Sequence, residues 1–168
     1  SLVNLLELDE LVKEAGKWAV RLRQDFHRWP ELGNEEHQTA DRVVAELERL
    51  GIETERILPT GVVGSLEKKP GKKTVALRAD MDALPIHETV NLPFSSERDG
   101  IMHACGHDVH TAVLLGTARV LCNIQNEING NVKFIFQPAE ETTGGAKRMI
   151  RKGCLEPKTD YILGLHVK

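Results

Sequence analysis

Cysteine is scarce. The three present, Cys105, Cys122 and Cys154, are odd in number and widely spaced, which argues against a disulfide framework. Excess positive charge is missing too: 22 Lys and Arg against 25 Asp and Glu leave a net charge of −3. Nothing there favours nucleic acid or an anionic membrane as a partner. No apolar run approaches the ~20 residues of a transmembrane helix. The opening stretch SLVNLLELDELVKEAG is acidic and amphipathic, without the basic start and small-residue cleavage site of a signal peptide. The expectation is a soluble, cytoplasmic protein. Internal repeats and linkers are absent, and 14 Gly and 7 Pro without a period exclude collagen-like and low-complexity chains. What remains is one domain's worth of sequence, 168 residues at 40% hydrophobic and 28% charged, enough for a sizeable core.

Hydrophobic spacing divides that sequence into elements. Leu5, Leu8, Leu11, Val12, Ala15, Ala19 and Leu22 recur at helical intervals over 4–28, and Pro30 ends the pattern. A second helix is predicted from Glu35 to Leu50, with Gly51 as its stop. The period then shortens to that of strands at Ile52–Leu58, Val62–Glu67 and Thr74–Arg78. From Ala79 to Asp108 no period survives, and a loop of about 30 residues inside a compact domain points to function. A helix over Val109–Asn123, a strand at Val132–Gln137, a helix near Ala146–Lys152 and a strand at Tyr161–His166 complete the chain. This order predicts an α/β fold, a mixed sheet flanked by helices.

The reactive residue types fall at strand ends. Asp80 and Asp82 follow TVALR, Glu140 and Glu141 follow KFIFQ, His166 closes YILGL, and Cys105 and His107 precede a helix. Open α/β sheets bind ligands outside the carboxyl ends of their strands, so one sheet edge would gather all of these groups. A thiolate, two imidazoles and a carboxylate suit zinc or another late divalent ion. Gly106 lets the chain turn tightly between Cys105 and His107, and the helix N-terminus that follows should favour the Cys105 thiolate. Singly, each group has a bland reading. Cys-Gly-His is usually incidental, Glu-Glu a solvated pair, His166 a core histidine and the two aspartates turn caps. His27, His37 and His87 read as ordinary polar residues.

The segments DFHRWPELGNEEHQTA (25–40), ALRADMDALPI (76–86), MHACGHDVHTA (102–112), FIFQPAEETTGGAKRMI (134–150) and GLHV (164–167) resemble the M20 metallopeptidase/amidohydrolase family. The likeness is to its subfamily D, which includes hippurate hydrolases and N-acyl-L-amino-acid amidohydrolases. It implies a centre of two divalent ions, zinc or manganese with cobalt or nickel as alternatives. Cys105, His107, Glu141 and His166 would be ligands, Glu140 the general base and Asp82 the residue that orients ligands. Asp80 stands where other branches carry a ligand histidine, and His110 lies in the motif without a ligand role. Trp29 replaces a histidine common in relatives, with only packing at stake.

The resemblance further implies that residues 1–168 are the N-terminal part of a longer catalytic domain, without its lid/dimerisation domain and without a C-terminal ligand histidine. Such a stretch alone is expected to be inactive, while the longer form would act on a small N-acyl amino acid and could pair as a homodimer. Two rival functions stand beside this one: a cysteine-nucleophile amidase using Cys105, and an inactive metal-binding fragment.

Overall fold

The computed structural model describes residues 3–66 and 68–168. The chain opens with helix α1 (Leu5–Arg28), held at its start by a capping box in which Asn4 Oδ1 accepts the Glu7 N–H at 2.9 Å. Helix α2 (His37–Arg49) follows, then strands β1 (Glu53–Ile57), β2 (Gly61–Leu66) and β3 (Thr74–Asp80). After the long loop come α3 (His107–Asn123), a short 3-10 turn at Gln125–Glu127, β4 (Asn131–Gln137), α4 (Gly145–Arg151) and β5 (Tyr161–Gly164). The element order matches the expectation, although the proposed Glu67 end of the second strand lies outside the described residues. Among the described residues no helix is long and apolar enough to cross a membrane.

The sheet runs β1-β2-β4-β3-β5. Its β1-β2 and β2-β4 pairs are antiparallel, and β4-β3 and β3-β5 are parallel. Strand alternation sorts the side chains into two faces. Phe134 and Phe136 of β4 and Val62 and Leu66 of β2 pack with Leu22 and Phe26 of α1, Val43 and Leu47 of α2, and Leu115 of α3. Ile135, Val63 and Ala76 face the other way, onto Met149 of α4 and Cys154. Among the described residues the result is a mixed sheet with three α-helices on one face and one on the other. Cys122 is half-buried and Cys154 buried.

Most predicted boundaries shift by a residue or two, and three of the shifts bear on where the reactive residues sit. Strand β3 continues past Arg78 to Asp80, because its ladder with β4 extends to Asp80↔Gln137 and Met81 donates to Gln137 O at 3.0 Å. Helix α3 begins two residues earlier than Val109: Gly106 takes φ 80°, a left-handed value, and His110 N–H reaches Gly106 O at 3.1 Å. His107 and Asp108 thus belong to its first turn. Strand β5 stops at Gly164, short of His166, because the Val167 N–H turns to His110 Nε2 at 3.0 Å instead of extending the ladder with β3.

The long loop is pinned rather than loose. Ala83 bridges Leu32, Leu84 bridges Met102, and the Glu97 N–H donates to Arg28 O at 2.8 Å. Beneath the loop lies a buried ionic chain, which corrects the reading of His27 as an ordinary polar residue. His27 Nδ1 meets Asp108 Oδ2 at 2.8 Å, and its Nε2 meets Glu88 Oε2 at 2.5 Å. Arg23 Nε joins Asp108 Oδ2 at 2.9 Å, and Glu88 Oε1 accepts the Ser96 N–H at 2.6 Å. Ionised carboxylates only accept, so both His27 nitrogens carry protons. The Asp108 hydrogen bond leads in raising the His27 pKa above 6.5 and, with Glu88, outweighs burial. The His27 hydrogen bond holds Asp108 below its ordinary 3.8 despite burial, and the Ser96 amide, then His27, hold Glu88 below 4.5.

The signs fix a pH window. A raised His27 pKa stabilises below 6.5 and loses its effect as pH climbs through the folded value. The two depressed carboxylates stabilise above about 4.5 and fail as pH falls. His27→Gln should therefore destabilise most between about pH 4.5 and 6.5, on the order of 3 kcal/mol in urea unfolding. The deficit should shrink as pH rises further; a deficit that grows above neutrality contradicts this account.

Candidate metal centre

Sheet topology brings four segments to one edge. Parallel neighbours β3 and β4 end level, at Asp80 and Gln137, and β5 runs the same way with Gly164 opposite Arg78. Asp82, the Glu140–Glu141 pair and His166 therefore leave the same side of the sheet, and the first turn of α3 sets His107 against them. Among the described residues three groups of potential ligand atoms form, each within 4.8 Å: Cys105, His107 and His166; His107, Glu140 and Glu141; and Asp80, His107 and His110. His107 is common to all three. All four residues expected as ligands thus meet around one imidazole.

Asp82, 1% exposed, organises that imidazole. Its Oδ1 lies 3.1 Å from His107 Nδ1, and its Oδ2 accepts the Glu141 N–H at 3.0 Å. A carboxylate cannot donate, so Nδ1 carries the proton, and in the neutral ring Nε2 presents its lone pair. That Nε2 is buried and has no hydrogen-bond partner. Instead it faces oxygens of Asp80 and Glu141, each at 3.5 Å, and of Glu140 at 4.0 Å. An orphaned nitrogen lone pair ringed by carboxylates is what a bound cation would satisfy, so these residues fit a divalent ion.

His110 behaves differently. Its Nδ1 lies 2.6 Å from Asp80 Oδ1, and its Nε2 accepts the Val167 N–H. Both nitrogens are occupied, so His110 acts as a strut between Asp80 and the segment carrying His166, whose ring centroid is 4.6 Å away. Asp80 is itself held by Arg78 Nη1 at 3.0 Å. His103, from the same motif, is buried with neither nitrogen partnered, and burial pushes its pKa down to about 4. It does not join the ligand groups. Trp29 is half-exposed beside Phe26, Thr39 and Arg42.

The electrostatics carry one correction. Sequence favoured a Cys105 thiolate through the helix N-terminus, yet its pKa is pushed up to about 11, first by the Glu141 hydrogen bond, then by desolvation and nearby carboxylates. A helix terminus contributes only about 0.3–1 kcal/mol and loses to that crowd. Burial and then Glu141 raise Glu140 as well. His107 is raised because Asp82, Asp80 and Glu141 together overcome its desolvation. Asp82 stays low: the His107 hydrogen bond and the amides of Glu141 and Glu140 outweigh its burial. The cluster holds surplus negative charge. In chelator-treated protein, Cys105 alkylation by iodoacetamide should keep rising about tenfold per pH unit through pH 9.5, without levelling near the ordinary 9.0. A plateau at or below pH 9 contradicts the charge crowding.

Comparison with known proteins agrees with this geometry. Residues 76–168 match the family model described as Peptidase family M20/M25/M40. The chain is 47% identical over 171 residues to thermostable carboxypeptidase 1 of Saccharolobus solfataricus, covering 99% of this chain and 42% of that protein. It is 49% identical over 148 residues to hippurate hydrolase of Campylobacter jejuni, covering 87% and 38%. The crystal structure of Bacillus subtilis YXEP, described as a dinuclear metal binding peptidase of the M20 family, superposes with a TM-score of 0.88 at 42% identity. That match covers 93% of this chain and 44% of that one. The chain spans about two fifths of the length of these curated relatives. The matched region begins inside β3 and takes in every member of the carboxylate and imidazole cluster, and so the chain belongs to peptidase family M20/M25/M40.

Proposed function

We propose that the protein is a metal-dependent hydrolase that cleaves the amide bond of N-acyl amino acids, with residues 1–168 furnishing the N-terminal part of its catalytic domain. The observation that carries this reading is His107 Nε2, buried and unpartnered among carboxylates, with two adjacent glutamates beside it. Relatives named hippurate hydrolase and carboxypeptidase share one kind of bond, an amide whose departing amine belongs to a free amino acid.

Cys105, His107, Glu141 and His166 would hold two divalent ions, zinc or manganese, which when bound supply Lewis acidity and bring the pKa of water toward about 7. Glu140 takes a proton from the attacking water and returns it to the departing amine nitrogen. Its pKa, raised by burial and by Glu141, suits both directions of that transfer. Asp82 fixes the His107 tautomer and the Glu141 backbone together. A cysteine-nucleophile amidase is disfavoured, because a thiol held near 11 by Glu141 is not a nucleophile at neutral pH.

The adjacent glutamates give the test. Glu140→Gln should retain bound metal while turnover of hippurate or N-acetyl amino acids falls about 10²–10⁴-fold. Glu141→Gln should lose metal and turnover together, read by elemental analysis of the purified protein. Both variants keeping metal and rate would remove the assigned roles. Chelation should abolish turnover, and added Zn²⁺ or Mn²⁺ should restore it.

A further inference from the structure

One buried carboxylate has no part in this chemistry and yet touches the segment that delivers it. Glu36 is 0% exposed. It stands at the N-cap of α2, but its side chain does not cap the helix. Glu31 does so instead, accepting the Thr39 N–H at 2.6 Å and the Gln38 N–H at 3.1 Å. Glu36 is left to reach across to the end of β4. Its Oε2 accepts the Ala139 N–H at 2.8 Å, and its Oε1 accepts the Thr60 hydroxyl at 3.2 Å.

Ala139 is an unusual residue to hold. It is fully buried and takes φ 51°, the left-handed region that a side-chain-bearing residue rarely adopts. It also immediately precedes Glu140 and Glu141. A residue forced into that region persists only where its surroundings over-determine it. The neighbouring contacts come from the same part of the chain as Glu36. A Cβ on Gly33 would lie 2.7 Å from Thr142 Oγ1 and 3.1 Å from Ala139 Cα, so only glycine lets the two segments approach. Asn34 Nδ2 donates to Thr143 Oγ1 at 2.9 Å, and Arg148 donates to Asn34 Oδ1. Residues 31–36 thus form a bed beneath residues 138–143.

We infer that Glu36 is a positioning residue for the glutamate pair: by holding Ala139 in its left-handed conformation it sets the direction in which Glu140 and Glu141 leave β4. The inference rests on the roles proposed above for those two residues. A carboxylate suits the task because the Ala139 amide and the Thr60 hydroxyl are both donors aimed at it. Burial raises the Glu36 pKa, a cost that no fold-only cap of α2 would require, since Glu31 already provides that cap.

The test compares E36L, E36D and E36Q in the intact protein, with and without chelator. Glutamine keeps a carbonyl oxygen for Ala139; aspartate withdraws the acceptor by one methylene; leucine removes it. Amide exchange at Ala139, measured against the core amide of Phe134, should speed up at least about tenfold in E36L and E36D and little in E36Q. With metal present, kcat should fall about 10²-fold in E36L and E36D with KM little changed, and E36Q should recover most of it. If E36L does not fold, E36D against E36Q carries the comparison. Unchanged Ala139 exchange in E36D overturns the inference, as does equal loss of kcat in E36D and E36Q. The control E140Q separates the two claims. An active E140Q removes the catalytic reading and leaves the exchange result standing, whereas an inactive E140Q with protected Ala139 in E36D removes Glu36 alone.

Discussion

The site depends on the two oxygens of one carboxylate. Asp82 binds the imidazole of α3 with one and the backbone of the β4 exit with the other. It sits two residues beyond β3 and is almost wholly buried, so three elements are tied at a single point. Hydrogen bonds to an ionised group contribute about 1.5–3 kcal/mol each, more than neutral ones; here one donor rides on the first turn of α3 and the other on the turn that leaves β4. Remove that carboxylate and nothing else dictates which His107 nitrogen faces the carboxylates. A shape-preserving amide has only one acceptor oxygen, so either the His107 Nδ1–H or the Glu141 N–H would face a donor.

Around that anchor the protein tolerates an electrostatic imbalance. Four carboxylates and a thiol surround one imidazole, and Cys105, Glu140 and His107 all respond by holding protons more tightly. Under the long loop, Asp108 and Glu88 are separated by His27 and backed by Arg23, so acids and bases are matched. The contrast distinguishes a network that stabilises a fold from one prepared for an added cation. Both are buried and both bridge distant segments; only the second turns an unpartnered imidazole nitrogen toward a ring of carboxylates.

Much of this was legible from residue order. Helical and strand periods located each α-helix and strand among the described residues but not the 3-10 turn at Gln125–Glu127, and placing Asp, Glu, Cys and His at strand ends pointed to one edge of the sheet. The errors lie where tertiary contacts override local preference. Asp80 is a poor strand residue, yet β4 carries the ladder through it. His166 leaves the strand because His110 competes for the Val167 amide. His27 looked solitary, since its partners Glu88 and Asp108 are distant in sequence. Glu36 was hidden for the same reason: its partner is a backbone amide more than a hundred positions away, at Ala139, and a backbone amide leaves no mark on a sequence.

Strand order has a further consequence, for how the molecule assembles. Strands β2 and β3 are consecutive, yet they do not touch; β4, which begins at Asn131, lies between them. A local hairpin can form from β1 and β2 early, but the sheet stays open until the chain has travelled through the long loop and α3 and returned. Closing so long a loop costs entropy before any pairing compensates it, and parallel ladders of this separation are slow to form. The edge that gathers Asp82, His107 and the glutamates is created by that same closure. Of the four proposed ligands, a nascent or partly unfolded chain therefore presents only Cys105 and His107 as near neighbours, and their convergence with Glu141 and His166 is a property of the finished sheet.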